Sequence, residues 1–137
     1  MISAKDFGAV GDGVTDDTVA IQEWANQTGE RNLGHGTYLI SKPIVFPHGG
    51  RVLGYGGEIK LSDNFLGHSV FECKGTPSKP ILVEGFHIDM NFRDAWFASE
   101  KESSWVTFNY NIVNNTSNNY ANSVFDFKTC FELDVSI

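Results

Sequence analysis

Residues 6–17 read DFGAVGDGVTDD, and an apolar-patterned stretch follows at once. Gly8, Gly11 and Gly13 crowd against Asp12, Asp16 and Asp17, a composition suited to a ligand loop or to a change of chain direction. A phosphate loop needs Gly-rich backbone ahead of a helix and a cation, as in G-x-x-x-x-G-K-[ST]. Here the glycines run G-x-x-G-x-G, no lysine follows, and the aspartates repel an anion. For calcium the same aspartates are hard oxygen ligands. The spacing D-x-[DN]-x-[DN]-G is broken at Val14, however, and no glutamate closes the loop. The architectural reading needs less: Gly11 and Gly13 permit tight turns, Asp12 bonds its own turn, and Thr15 or Asp16 caps a helix. No metal site and no cofactor are expected.

The helix that follows is legible from its period. Ala20, Ile21, Trp24 and Ala25 share one face of a 3.6-residue repeat. Asp16 and Asp17 suit the positive end of its dipole, and Gly29 is a natural stop. A helix from about Asp16 to Thr28 is expected, with Gln22, Glu23 and Gln27 on its wet face.

The chain has 137 residues, the length of one domain, and a net charge of −7 with no run of basic residues. That charge argues against a nucleic-acid partner, which needs clustered Lys and Arg. No stretch approaches the roughly 18 apolar residues of a membrane span, so no membrane insertion is expected. No charged-then-apolar leader pattern is visible. Cys73 and Cys130 lack motif spacing and read as two buried thiols rather than a disulfide. His35, His48, His68 and His87 are too scattered for a zinc site.

After Asn32 the sequence breaks into short apolar runs separated by turn residues. Strands are expected at Gly36–Ser41, Ile44–Phe46, Val52–Leu53, Glu58–Leu61, Ser69–Cys73, Ile81–Val83, Phe86–Met90, Trp105–Val113, Val124–Phe127 and Phe131–Val135. Arg93 to Ser103 looks like an inserted loop. Strand starts near Val52, Val70, Ile88, Val106 and Val124 recur about every 18 residues without intervening helices. Pattern alone leaves a parallel β-helix and an antiparallel sandwich both open. A solenoid needs a cap over its first open edge. The amphipathic helix sits where that cap belongs, with Ile21 and Trp24 as plugs.

DFGAVGDGVTDDTVAIQ followed by GTYLIS resembles the N-terminal signature of the pectate-lyase-like β-helix superfamily. RVLGYGGEIKL and GFHIDMN resemble its first coils more weakly. The resemblance covers roughly the first ninety residues. It implies an all-β chain: a right-handed parallel β-helix (solenoid) with one N-terminal capping α-helix. Residues 1–35 then form the N-terminal strand, turn and capping helix. Residues 36–137 form the first coils, truncated or completed by other subunits. The superfamily includes bacteriophage tailspikes and polysaccharide depolymerases. The resemblance thus implies a parallel homotrimer on a virion tail, acting outside the cell on bacterial polysaccharide by glycosidic cleavage. A non-catalytic trimeric fibre or glycan-binding segment is one alternative, and a secreted pectin-type lyase is another.

The signature marks a fold and leaves the chemistry elsewhere. Hydrolysis of a glycosidic bond needs two carboxyl groups roughly 5–10 Å apart. Residues about one coil apart can stack, which nominates Glu72 with Asp89 or Asp94, although Asp89 also suits a turn before Asn91. Trp96, Trp105 and Tyr110 are the candidate sugar-stacking aromatics. The active site can equally lie outside this chain.

Overall fold

The computed structural model describes residues 2–67, 69–73, 78–91, 96–98, 106–109 and 112–114. The strands are β1 (Ile2–Ser3), β2 (Asp12–Asp16), β3 (Arg31–Asn32), β4 (Gly36–Ile40), β5 (Ile44–Phe46), β6 (Gly50–Leu53), β7 (Gly57–Leu61), β8 (Ser69–Cys73), β9 (Ile81–Glu84), β10 (His87–Asp89), β11 (Trp96–Ala98), β12 (Val106–Asn109) and β13 (Ile112–Asn114). A 3-10 turn spans Ala4–Phe7, and α1 spans Thr18–Ala25.

Among the described residues all strand pairings are parallel, in three sheets ordered β1-β3-β6-β9-β12, β2-β4-β7-β10-β13 and β5-β8-β11. We call them the first, second and third sheets. From β3 onward the chain visits first, second and third in turn and then repeats. This is a β-helix-like all-β fold, and it excludes the antiparallel sandwich among the described residues.

Buried rows run across each sheet where inward positions align. In the second sheet Tyr38, Ile59 and Ile88 are register partners, and Ile40 lies opposite Leu61; all five are at most 1% exposed. In the third sheet Ile44 lies opposite Phe71, and Phe46 opposite Cys73. Alternation of inward apolar and outward polar residues holds each register, because a one-residue slip would turn the whole row outward.

The first circuit has one odd member. β1 opens the first sheet and β2 the second, but the third visit is made by α1 instead of a strand. Among the described residues β5 is therefore an edge of the third sheet. Gln22 meets its backbone, and Thr18, one turn earlier on the same helix face, meets the residue that follows β4. The Gln22 amide donates to Val45 O at 2.7 Å and accepts from Val45 N–H at 2.9 Å. The Thr18 hydroxyl accepts Ser41 N–H at 2.8 Å. Gln22 thus pairs with β5 as a peptide would, so its expected place on the wet face is corrected. Glu23 remains exposed.

The buried face of α1 plugs the stack as expected. Ile21 and Trp24 are fully buried. Trp24 Nε1–H is shared between Ile2 O at 3.2 Å and Asn32 O at 3.1 Å, which ties the plug to β1 and β3. Its ring begins an edge-to-face series, Trp24–Phe46–Phe71–Phe86, with centroids 5.9, 5.1 and 5.1 Å apart. Such pairs add about 0.5–1.5 kcal/mol each beyond area burial.

Arg31 was not foreseen in the core. It occupies an inward row with Val52 and Val83 and is fully buried. Its guanidinium donates to the carbonyls of Ala25, Gly29, His48 and Gly49 at 2.8–3.2 Å. Ala25 ends α1, so the negative end of the helix dipole helps to balance the cation. Burial still pushes the guanidinium below its ordinary pKa, with Cys73 opposing that shift.

Other corrections concern spacing. Val52 and Val106 lie in the first sheet, Val70 in the third and Ile88 in the second, so the 18-residue recurrence mixes faces. The true steps within the first sheet, Arg31 to Val52 to Val83 to Phe108, are 21, 31 and 25 residues. Trp105–Val113 is not one strand: β12 and β13 lie in different sheets. Trp96–Ala98, read as part of a loop, pairs with β8. The strands expected at Val124–Phe127 and Phe131–Val135 lie outside the described residues. No helix among the described residues is long and apolar enough to cross a membrane.

Gln22→Leu leaves both polar groups of Val45 without the side-chain partner. It should cost about 1–3 kcal/mol and promote edge association. Denaturant midpoints and size-exclusion profiles check this; an unchanged midpoint would show that water substitutes fully for the amide.

Candidate functional site

The opening loop is built for the fold. Asp17, 3% exposed, accepts Val10 N–H and Gly11 N–H, each at 2.9 Å. Asp12 accepts Val14 N–H at 3.0 Å, Thr15 N–H at 2.8 Å and the Thr15 hydroxyl at 3.0 Å. Asp16 accepts Thr18 N–H at 3.0 Å and the Thr18 hydroxyl. All three carboxylates are engaged by the loop and the helix start. Gly11 and Gly13 hold φ of +73° and +75°, a region that favours glycine. The residues between them and the helix form β2, an edge strand paired with β4, so α1 starts at Thr18 with Asp17 as cap residue, two residues later than expected. Among the described residues no group of three or more His, Cys, Asp or Glu could hold a metal ion.

Of the sequence-nominated carboxylates, Glu72 and Asp89 are not brought together. Glu72 stands on β8, opposite Val45. Asp89 stands on β10 in another sheet, opposite Lys60. The two are therefore not stacked on one face. Asp89 Oδ1 accepts Asn91 N–H at 2.9 Å, which fits the turn role, and Asn91 takes a φ of +49°. Asp94, Trp105 and Tyr110 lie outside the described residues. Trp96 is in β11.

A different constellation sits at the corner between the first and second sheets. Gly36, Gly56, Gly57 and Gly85 line an open groove of about 620 Å³. Thr37, Tyr55, Glu58 and His87 supply its side chains. Three of these form one outward row, since Thr37, Glu58 and His87 are successive register partners on β4, β7 and β10. Adjacent strands lie about 4.8 Å apart, so their Cβ atoms project side by side. Thr37 Oγ1 donates to Glu58 Oε1 at 3.4 Å.

Two rings line the corner, each seated on a glycine of the next circuit. Gly85 lies so close beneath Tyr55 that a Cβ there would come within 2.5 Å of the ring. Tyr55 OH donates to Glu84 Oε2 at 2.9 Å. The ring is thus fixed at both ends while 48% of the residue stays exposed. His35 repeats the device on Gly56: a Cβ there would stand 3.0 Å from its ring, and Nδ1 lies 3.2 Å from Gly56 O. Beneath, Tyr38 OH donates to His35 O at 2.7 Å. Burial, and then the Asp17 charge, push the Tyr38 phenol upward, so it stays a neutral donor.

A held aromatic face beside a row of hydroxyl, carboxylate and imidazole can stack a sugar ring and bond its hydroxyls. The row also places an acid–base pair, Glu58 and His87, on adjacent strands. The signal was present in the sequence as GTYLI (36–40) and GEIKL (57–61), one circuit apart, with HIDM (87–90) following in the same register.

Residues 1–128 match the model of the family described as rhamnogalacturonase A/epimerase, pectate lyase-like. The chain belongs to this family. Over 58 residues it is also 44% identical to a glucan 1,3-beta-glucosidase of Cochliobolus carbonum, covering 39% of this chain and 7% of that protein. The match thus spans a small fraction of the relative's length. Both names are those of proteins acting on polysaccharides. Membership in the pectate-lyase-like family agrees with the expected superfamily and with its β-helix-like fold.

Hydrogen bonds from Thr15 N–H first, and from Val14 N–H, hold the Asp12 carboxyl below its ordinary pKa of 3.8. A lowered carboxyl contributes its stabilisation above the unfolded value and loses it as pH falls through the folded one. The Val14 and Thr15 amide shifts should therefore inflect below pH 3.8, and Asp12→Ala should abolish that inflection. An inflection above that value would contradict the loop's hydrogen bonding. Millimolar calcium or phosphate should move the melting midpoint by less than about 1 °C, since the loop's carboxylates are already engaged. A rise of several degrees would make the loop a ligand site.

Proposed function

We propose that this chain forms the first coils of a right-handed parallel β-helix whose corner groove is a glycan-binding subsite of a polysaccharide-degrading protein. The observation that carries this reading is the Tyr55 ring, seated on Gly85 and held by Glu84, beside the Thr37–Glu58–His87 row. Tyr55 supplies the stacking face. Thr37 and His87 offer hydrogen bonds to sugar hydroxyls, and Glu58 accepts from them. Family membership and the glucan 1,3-beta-glucosidase relative support a polysaccharide as the partner and an extracellular place of action. Bond cleavage belongs to the complete protein, on these coils or on later ones, with Glu58 as the acid–base residue this chain offers.

The finer form of the proposal follows the sequence resemblance: a tailspike-type homotrimer on a virion tail, depolymerising bacterial surface polysaccharide. A secreted glucan-degrading enzyme is the second reading, and the fungal relative favours it. Sedimentation at micromolar concentration separates them, since a trimer supports the tailspike form and a monomer the secreted one.

The test of the common core uses the full-length protein with bacterial surface polysaccharide and with β-glucan, scoring new reducing ends. Tyr55→Ala should raise KM about tenfold with kcat within about threefold, the pattern of lost uniform binding. Binding without new reducing ends would make the protein a glycan-binding fibre. Unaltered kinetics and binding in Tyr55→Ala would remove the groove from the account.

A further inference from the structure

We infer that the corner groove selects uncharged sugars and turns away uronates. This rests on reading the groove as a glycan subsite, and it adds the chemical class of the sugar. Family membership alone would not give this answer, because the family description includes pectate-lyase-like proteins, and pectate is a polymer of uronates.

The charges around the groove decide it. Glu58 lines the groove. Glu84 sits under the hydroxyl of the stacking ring. Asp12 is the register partner of Thr37, at the start of the same outward row. Glu58 and Glu84 therefore flank the place a sugar ring would take on Tyr55, with Asp12, engaged by its own loop, two strands further along the row. Against them stand His87 in the row and His35 at the corner, whose Nδ1 is turned to a carbonyl. Lys60 stands one outward position further along β7, opposite Asp89 in register. Among the described residues no arginine lines the groove.

A sugar carboxylate is recognised by a planar guanidinium or a cluster of cations. A carboxylate brought within a few ångströms of Glu58 and Glu84 meets like charge, an interaction that weakens only as salt screens it. An uncharged hexopyranose carries no such cost. Its hydroxyls donate to Glu58 and its C–H face covers Tyr55. Because Tyr55 is already fixed by Gly85 and Glu84, little side-chain freedom is lost on binding.

The test titrates the ¹⁵N-labelled protein with two probes of equal length, a neutral β-glucan hexamer and a galacturonate hexamer. The amides of Gly56, Gly57 and Gly85 report on the groove. At about 20 mM salt the galacturonate should bind at least about tenfold more weakly, and the gap should narrow at about 500 mM while neutral binding stays level. The paired substitutions Glu58→Gln and Glu84→Gln should bring galacturonate to within about threefold of the neutral probe, removing the like charge. Gly85→Ala, which displaces the Tyr55 ring, should weaken neutral binding about tenfold; Tyr55→Ala serves as the second variant should Gly85→Ala fold poorly. Galacturonate binding as tightly as glucan at low salt, through the same glycines, would overturn the selectivity while leaving the subsite in place. If neither probe moves these glycines, the subsite falls and the selectivity with it.

Discussion

The fold depends on how its first edge is closed. A stack of parallel strands begins with a row of backbone donors and acceptors that have no preceding strand. Two of the three sheets end in the short strands β1 and β2, which keep the exposed edge brief. The third uses α1, whose Gln22 amide takes the two bonds at Val45 that a peptide would have made, with Thr18 beside it at Ser41. Polar satisfaction outside and the Trp24 plug inside come from one eight-residue helix. Arg31 then binds the end of that helix to the corners of the next circuit through four carbonyls. A buried cation without these acceptors would cost several kcal/mol.

Regular stacking above the cap has a chemical by-product. Where successive circuits turn the corner between the first and second sheets, backbone passes close to backbone and only glycine fits. A Cβ at Gly57 would lie 2.3 Å from Gly34 O. Nearby corner glycines, Gly56 and Gly85, leave flat seats on which His35 and Tyr55 lie. Strand register then brings Thr37, Glu58 and His87 alongside. The groove is thus a consequence of packing constraints, with its specificity set by the few side chains that the register aligns there.

Part of this was legible in the sequence. The period of Ala20, Ile21, Trp24 and Ala25 gave the helix and its plug, and the strands at Ile44–Phe46 and Ser69–Cys73 stand where expected. β2 was hidden because its burial shows no inward apolar alternation; as an edge strand it is defined by pairing with β4. Arg31 broke the polar-outside rule at a core position. The circuit length was misjudged because corners of unequal length put 21 residues in one step and 31 in the next. That error of register is why Glu72 and Asp89 were grouped, while Glu58 and His87, 29 residues apart on neighbouring strands, were not.

The most direct test of the account is native-state hydrogen exchange at the amides of Ser41 and Val45. If the helix side chains close the edge, both exchange slowly, with protection comparable to Ile59 on a central strand paired on both sides. Exchange at the rate of an unstructured amide would mean that the edge is open and that α1 caps the stack by apolar contact alone.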